Sequence, residues 1–257
     1  MIRGLIFEFA ACVQTRTEKE TTLALNTSIL ILLLVLSVLV LALLNRHCRE
    51  AQRADWGASW LNWLDGFNRL YCRIYHRLPQ VDIPLPETGG AIVVANHISG
   101  LDPLLMLASS SRPLRFIIAR EQFERFGLQW LFRAVGCIPV DRENSPEKAM
   151  RQAIKALRDG EIIALFPHGK IHLDSDPPRK IKAGASRLAS LTGSPLIPLR
   201  ISGVSGQGGV MLPVFLRGHA RIKLLPVIEA GDRSPDRLNQ LIQQTLDRIP
   251  GNEDLAT

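Results

Sequence analysis

Ala91-Ile92-Val93-Val94-Ala95-Asn96-His97-Ile98-Ser99-Gly100-Leu101-Asp102-Pro103 decides the fold. The first five residues are apolar, three of them β-branched, and read as a short strand buried on both faces. A polar turn follows. Asp102 then precedes Pro103, an N-cap with proline at the first helical position, and Leu104-Leu105-Met106-Leu107-Ala108 continues the helix. His97 and Asp102 are five residues apart, about 140° of rotation on a continuous helix, so they would not share a helical face. With His97 in the turn and Asp102 at the helix start they can meet, and an imidazole beside a carboxylate makes a general base. A His-x4-Asp pair is a weak signal alone, since Asp102 as a plain helix cap and His97 as a plain turn residue give the same spacing.

The same alternation continues in both directions from this unit. Strands are predicted at Ala91–Ala95, Arg115–Ala119, Cys137–Val140, Ile162–Phe166, Leu196–Ile201 and Ala220–Leu225. Ser145-Pro146 opens a helix that Gly160 stops, Ala183–Thr192 reads as another, and Ser234-Pro235 opens a last one ending before Pro250-Gly251. This pattern predicts an α/β domain with a largely parallel central sheet flanked by helices, over residues 81–250. In such sheets ligands sit beyond the carboxyl ends of the strands. Three polar clusters fall there: Asn96-His97, Asp141-Arg142, and Pro167-His168-Gly169-Lys170. Gly206-Gln207-Gly208-Gly209 lacks the residues of a phosphate loop and reads as a mobile loop.

Before the domain lies a different texture. No charged residue stands between Glu20 and Arg46. Residues 23–44 are long enough, at about 1.5 Å per residue, to cross a hydrocarbon core of about 30 Å. A signal peptide fits less well, because Asn45-Arg46-His47-Cys48 is no small-residue cleavage site. A buried helix is the other reading, and few of those are apolar on every side. Residues 1–22 form an N-terminal tail and 251–257 a C-terminal one. Arg46, Arg49 and Arg53 after the span give a modest bias towards a single-pass membrane protein with its C-terminal domain on the cytoplasmic side. Residues 45–80 repeat Trp56, Trp60, Trp63, Phe67, Leu70, Tyr71, Ile74 and Leu78 at steps near three and four, among Arg69, Arg73, His76 and Arg77. This is an amphipathic helix, facing either the core or the lipid interface. The tryptophans favour the interface.

Composition sets the outer bounds. The chain has 257 residues, 46% of them hydrophobic, and a formal net charge of +7. That balance suits anionic lipid head groups or an acidic partner. No nucleic-acid-binding module is present in the sequence. Four scattered cysteines, Cys12, Cys48, Cys72 and Cys137, form no metal or disulfide pattern and read as reduced thiols.

Asn96-His97-x4-Asp102 after a strand resembles the first motif of the glycerolipid acyltransferases, the lysophosphatidic acid acyltransferase family. Gly136-Cys137-Ile138-Pro139-Val140-Asp141-Arg142 resembles the second motif, which ends in Asp-Arg. Phe166-Pro167-His168-Gly169 is similar to the third, normally Phe-Pro-Glu-Gly-Thr-Arg. Lys182-Ala183-Gly184-Ala185 and Pro195-Leu196-Ile197-Pro198-Leu199 resemble the segments that follow, in family order. The resemblance implies an O-acyltransferase moving a fatty acyl group from acyl-CoA or acyl carrier protein to a lysophospholipid hydroxyl, most simply 1-acyl-glycerol-3-phosphate. His97 would be the base and Asp102 its partner. Arg142, His168, Gly169, Lys170 and Lys182 would line the acceptor and phosphate site, with Asn96, Asp141 and Pro167 in support. No metal or cofactor is implied, although His168, His172 and Asp174 are metal ligands by residue type. One departure matters: His168 stands where the family has glutamate, Lys170 where it has threonine and Ile171 where it has arginine. The acceptor could therefore differ, a lyso-ornithine lipid for instance, or the scaffold could bind lipid without turning it over.

Overall fold

The structure is a computed structural model. It describes residues 2–124, 127–142 and 144–247, with side chains from Leu25 onward among them. The chain divides into two units, residues 1–47 and 48–257. The first is the body of one helix, α1 (Ile2–Ala51), so residues 2–22 of the N-terminal tail are helical. Leu25–Ala51 is long and apolar enough to cross a membrane, and leucine, isoleucine and valine side chains from Ile29 to Leu44 are exposed. The hydroxyl of Ser37 donates back to the Leu34 carbonyl at 2.7 Å, so this polar group is satisfied within the helix. The C-terminal tail, 251–257, lies outside the described residues.

The second unit opens with the last turn of α1, an irregular stretch, and α2 (Ser59–Ile74). Residues 45–80 are therefore not one helix, and Trp56 lies outside α2. Then come β1 (Ala91–Ala95), α3 (Asp102–Ala108), β2 (Leu114–Ala119), α4 (Arg120–Phe123), α5 (Gln129–Ala134), β3 (Ile138–Val140) and α6 (Pro146–Arg158). After these follow β4 (Ile162–Leu165), α7 (Gly184–Thr192), β5 (Leu196–Ser202), α8 (Leu212–Phe215), β6 (Arg221–Leu224) and α9 (Pro235–Asp247). The six expected strands all form, each within a residue or so of its expected bounds.

The sheet order is β3-β2-β4-β1-β5-β6, parallel throughout except that β6 runs antiparallel to β5. β1 is central and every residue in it is buried, as its unbroken apolar run requires. Ala91, Val93 and Ala95 face one core layer with Cys72 of α2 and Leu105 and Met106 of α3. Ile92 and Val94 face the other, with Ala153 of α6, Leu188 of α7 and Ile242 of α9. Helices thus cover both faces of the sheet.

The core face of α2 carries charge. Arg69 and Asp65 are fully buried and paired, with Arg69 Nε donating to Asp65 Oδ2 at 2.7 Å. Arg69 also donates to the carbonyls of Ala108, at 2.9 Å, and Ser110. Those oxygens close α3, where a helix leaves acceptors unmatched and a cation is welcome. α2 therefore turns Leu61, Asp65, Arg69 and Cys72 inward. Of the predicted stripe, Leu78 is buried, Trp56, Trp63, Leu70 and Tyr71 are half-buried, and Trp60, Phe67 and Ile74 are exposed, so the inward face is carried mostly by residues outside the stripe.

Candidate active site

His97 and Asp102 meet. His97 Nδ1 lies 2.8 Å from Asp102 Oδ2. Asp102 is not the N-cap, however. It is the first residue of α3, Leu101 occupies the cap position, and the Asp102 side chain reaches back over the turn. Its Oδ2 accepts the Ile98 N–H at 2.7 Å and the Ser99 N–H at 2.9 Å, and its Oδ1 accepts the Ser99 hydroxyl at 2.5 Å. The carboxylate thus draws donors from residues before the helix, which is what curls the turn and brings His97 to it.

This network fixes the histidine tautomer. A buried carboxylate ringed by N–H and O–H donors is an acceptor only, so the proton between it and His97 sits on Nδ1. Nε2 keeps its lone pair, and the imidazole remains part-exposed at 19%. The ring is held flat by Phe166, whose ring lies 4.1 Å away at 13°. Phe166 directly follows β4, the neighbour of β1, so sheet order explains the stack. A second strap comes from the glycine loop. Gly208 N–H donates to Ile98 O at 2.8 Å and Gly100 N–H donates to Gly209 O at 3.0 Å. A Cβ on Gly100 would lie 1.9 Å from the Val210 carbonyl oxygen, so glycine is required there. Gly206–Gly209 is therefore a clamp on the His97 turn and not a mobile loop.

The second and third polar clusters converge beside the turn. Arg142, after β3, donates to Gly169 O at 3.0 Å. Lys182 N–H donates to Pro167 O at 2.9 Å, and Gly169 has φ +72°, where a Cβ would press on both Lys182 and Arg142. The Lys182 ammonium is pushed below the usual lysine range by burial and then by Arg142, Arg179 and Lys170. Four cations thus share one neighbourhood, an arrangement suited to an anion. Arg179 was not singled out in the sequence; its one signal was a place in the basic run Arg179-Lys180 just before Lys182.

His168 is buried. Its ring stacks on His172 at 4.9 Å, its Nδ1 has no hydrogen-bond partner, and burial and then His172 hold its pKa below the usual histidine value. His172 in turn donates its backbone N–H to His97 O at 2.7 Å. Asp174 pairs with Arg200 at 2.5 Å, so His168, His172 and Asp174 do not come together as ligands, and the described residues contain no cluster of metal-ligating side chains. Two expected support residues act on the scaffold. Asn96 bridges the end of β5, accepting from Ile201 N–H at 2.7 Å and donating to Ile201 O at 2.9 Å. Asp141 accepts from Arg120 at 3.3 Å and from Asn144 N–H at 2.9 Å.

Known proteins resemble this chain in sequence and in fold. The model of the Acyltransferase family matches residues 75–202, which contain every part of the site described above except the glycine clamp. A 1-acyl-sn-glycerol-3-phosphate acyltransferase of Borreliella burgdorferi is 29% identical over 173 residues, 63% of this chain and 66% of that protein. A namesake from Bacillus subtilis is 29% identical over 47% of this chain and 60% of its own length. An N-acylphosphatidylethanolamine synthase of Arabidopsis thaliana is 30% identical over 49% of this chain and 44% of its own. The chain therefore spans about half to two thirds of the curated relatives it matches. The crystal structure of the 1-acyl-sn-glycerophosphate (LPA) acyltransferase of Thermotoga maritima shares the fold, with a TM-score of 0.56, 22% identity, and coverage of 73% of this chain and 78% of that one. With the motifs in order, the matching family model and the shared fold, the chain belongs to the acyltransferase family.

Proposed function

We propose that this protein is a membrane-bound O-acyltransferase that moves a fatty acyl group from a thioester donor to the free hydroxyl of a lysophospholipid, with 1-acyl-glycerol-3-phosphate the leading acceptor and phosphatidic acid the product. The observation that carries this reading is the His97–Asp102 pair, whose tautomer leaves Nε2 free as a base, beside a cluster of four cations. In the proposed step the acceptor hydroxyl gives its proton to His97 Nε2 as its oxygen attacks the thioester carbonyl. The C–S bond then breaks, and the imidazolium returns the proton to the departing sulfur. Asp102 stabilises the charged ring, as the acid does in a serine-protease triad. No enzyme nucleophile, metal or cofactor is used in this scheme. Arg142, Lys170, Arg179 and Lys182 would bind the acceptor phosphate by charge-assisted hydrogen bonds. The relatives named as acylglycerolphosphate acyltransferases support this choice of acceptor.

The donor is an acyl-CoA or an acyl carrier protein, both anionic and matched to a chain of net charge +7. The helix Leu25–Ala51 anchors the protein in a membrane, with the domain on the cytoplasmic side. A second acceptor class, such as lyso-ornithine lipid, is favoured by one observation: the family's glutamate position is the buried His168, whose Nδ1 has no hydrogen-bond partner among the described residues.

The deciding experiment offers the purified full chain a panel of lysolipids with labelled acyl-CoA and, separately, labelled acyl carrier protein. Turnover of lysophosphatidic acid, lost in His97→Ala, is the expected result. Preference for an acceptor without phosphate would replace the leading acceptor. Lysolipid binding with no turnover from either donor would overturn the enzyme reading in favour of a lipid-binding protein on this scaffold.

A further inference from the structure

The residues immediately after the glycine clamp have the wrong surface for a water-facing loop. Val210, Met211, Leu212, Phe215 and Leu216 are all exposed, Leu212 at 57% and Phe215 at 67%. Scattered exposed apolar residues need no explanation, but a contiguous set marks a contact surface. The segment is nonetheless rigidly held. The Tyr75 hydroxyl donates to Phe215 O at 2.6 Å, the Tyr71 hydroxyl donates to Val214 O, and Pro213 is buried beneath.

Those two tyrosines belong to a ladder. Trp63, Phe67, Tyr71 and Tyr75 stack in sequence, with ring centroids 5.6, 6.5 and 5.6 Å apart. The outer face of α2 and the segment around α8 are thereby one continuous apolar surface, tied together by tyrosine hydroxyls. Cations lie in the flanking sequence: Arg73 and Arg77 on one side, Arg217 and Arg221 on the other, all but Arg73 exposed.

We infer that Val210–Leu216 is a wedge that enters the surface of a phospholipid bilayer and sets the His97 turn at the height of the lipid head groups. Its occupant is anionic lipid. Aromatic rings with polar handles and flanking arginines match the head-group boundary, where rings partition and cations meet phosphate. A bilayer is also at hand for a chain that carries the Leu25–Ala51 helix. The link to the site is direct, because Gly208 and Gly209 of the preceding clamp hydrogen-bond to Ile98 and Gly100 on either side of Ser99. A wedge seated in lipid fixes His97 relative to an acceptor that is itself a lipid. This rests on the membrane part of the proposed function and not on acyl transfer.

The test places p-benzoylphenylalanine at Phe215 of the full chain in vesicles of phosphatidylcholine and phosphatidylglycerol. Illumination should give a phospholipid adduct by mass spectrometry, while the same residue at Gln152, on α6 of the opposite layer, gives none. A cross-link from position 215 to a second copy, no adduct there, or equal labelling at 152 would each overturn the wedge. A Leu212→Ser, Phe215→Ser double variant adds a second readout. Its rate should fall severalfold on acceptor embedded in vesicles and hold on a short-chain soluble acceptor. Equal loss on both would show that the segment only braces the turn. If the parent protein turned over no acceptor, the cross-link would still decide the wedge, so the two readings fail separately.

Discussion

The two halves of the site differ in how far the protein completes them. At the end of β1, the polar groups of the His97 turn other than His97 Nε2 find partners within the protein: Asp102 in Ile98, Ser99 and His97, the carbonyls of His97 and Ile98 in His172 and Gly208. In the loops beyond β3 and β4, burial first and then Arg142, Arg179 and Lys170 push the Lys182 ammonium below the usual lysine range. The first half is preorganised, so a proton can move there without rearrangement. The second repels itself until an anion arrives. Under the proposed function, the first region would supply the chemistry and the second the affinity.

The largest expected effect breaks the first half. His97→Ala should lower kcat by about 10³-fold or more with the fold intact by circular dichroism, since general base catalysis contributes roughly 10²–10⁴-fold. Asp102→Asn should be nearly as severe, and it should also cost about 1–3 kcal/mol of stability because a neutral amide oxygen accepts more weakly from Ile98 and Ser99 N–H and the amide nitrogen cannot accept the Ser99 hydroxyl. Retained kcat in either variant would remove the contrast between the two regions.

Next comes the open half. Arg142→Ala should raise KM for a phosphate-bearing acceptor by about 10- to 100-fold, the range of a lost hydrogen bond to a charged group, with a far smaller change in kcat. A fall in kcat with KM unchanged would place Arg142 in the chemistry instead. A subtler effect follows from Lys182. Its ammonium loses its proton at lower pH than an ordinary lysine, whose value is 10.5. The charged form exists below that depressed value, so affinity for a phosphate-bearing acceptor should weaken as pH rises through it. In Lys182→Arg the weakening should move to higher pH, which binding titrations across alkaline pH would reveal.

The smallest effect concerns His168. Its folded pKa lies below the ordinary 6.5, so the unfolded chain takes up the proton more readily. Stability should be fully present above that value and decline as pH falls through and below it. His168→Gln should flatten that decline in urea melts from neutral to acid pH; an unchanged slope would show that burial of His168 has no such consequence.

Much of this was legible in the sequence because it is local. The strand–turn–helix at 91–108, the punctuation by Ser145-Pro146 and Gly160, and the apolar span are each set by neighbours in the chain. Misreadings arose where a residue's partner is distant. Asp102 looked like a cap because Pro103 follows it, yet its acceptors serve the preceding turn. Gly206–Gly209 looked mobile because nothing in the sequence shows Ile98 and Gly100 beside it. The Trp-rich stripe did not mark the inward face of α2, and only the burial of Asp65 and Arg69 showed which residues turn inward.

The sequence by itself determined the alternation that makes an α/β sheet, the motif order and the placing of His97 five residues before Asp102, because periodicity and residue type are properties of the chain. The tertiary structure alone decided the rest. Setting β4 beside β1 laid Phe166 against His97, and sheet order carried Arg142 across to Gly169. Residues 26 to 105 apart in sequence meet only when the core closes, and no local rule fixes those pairings.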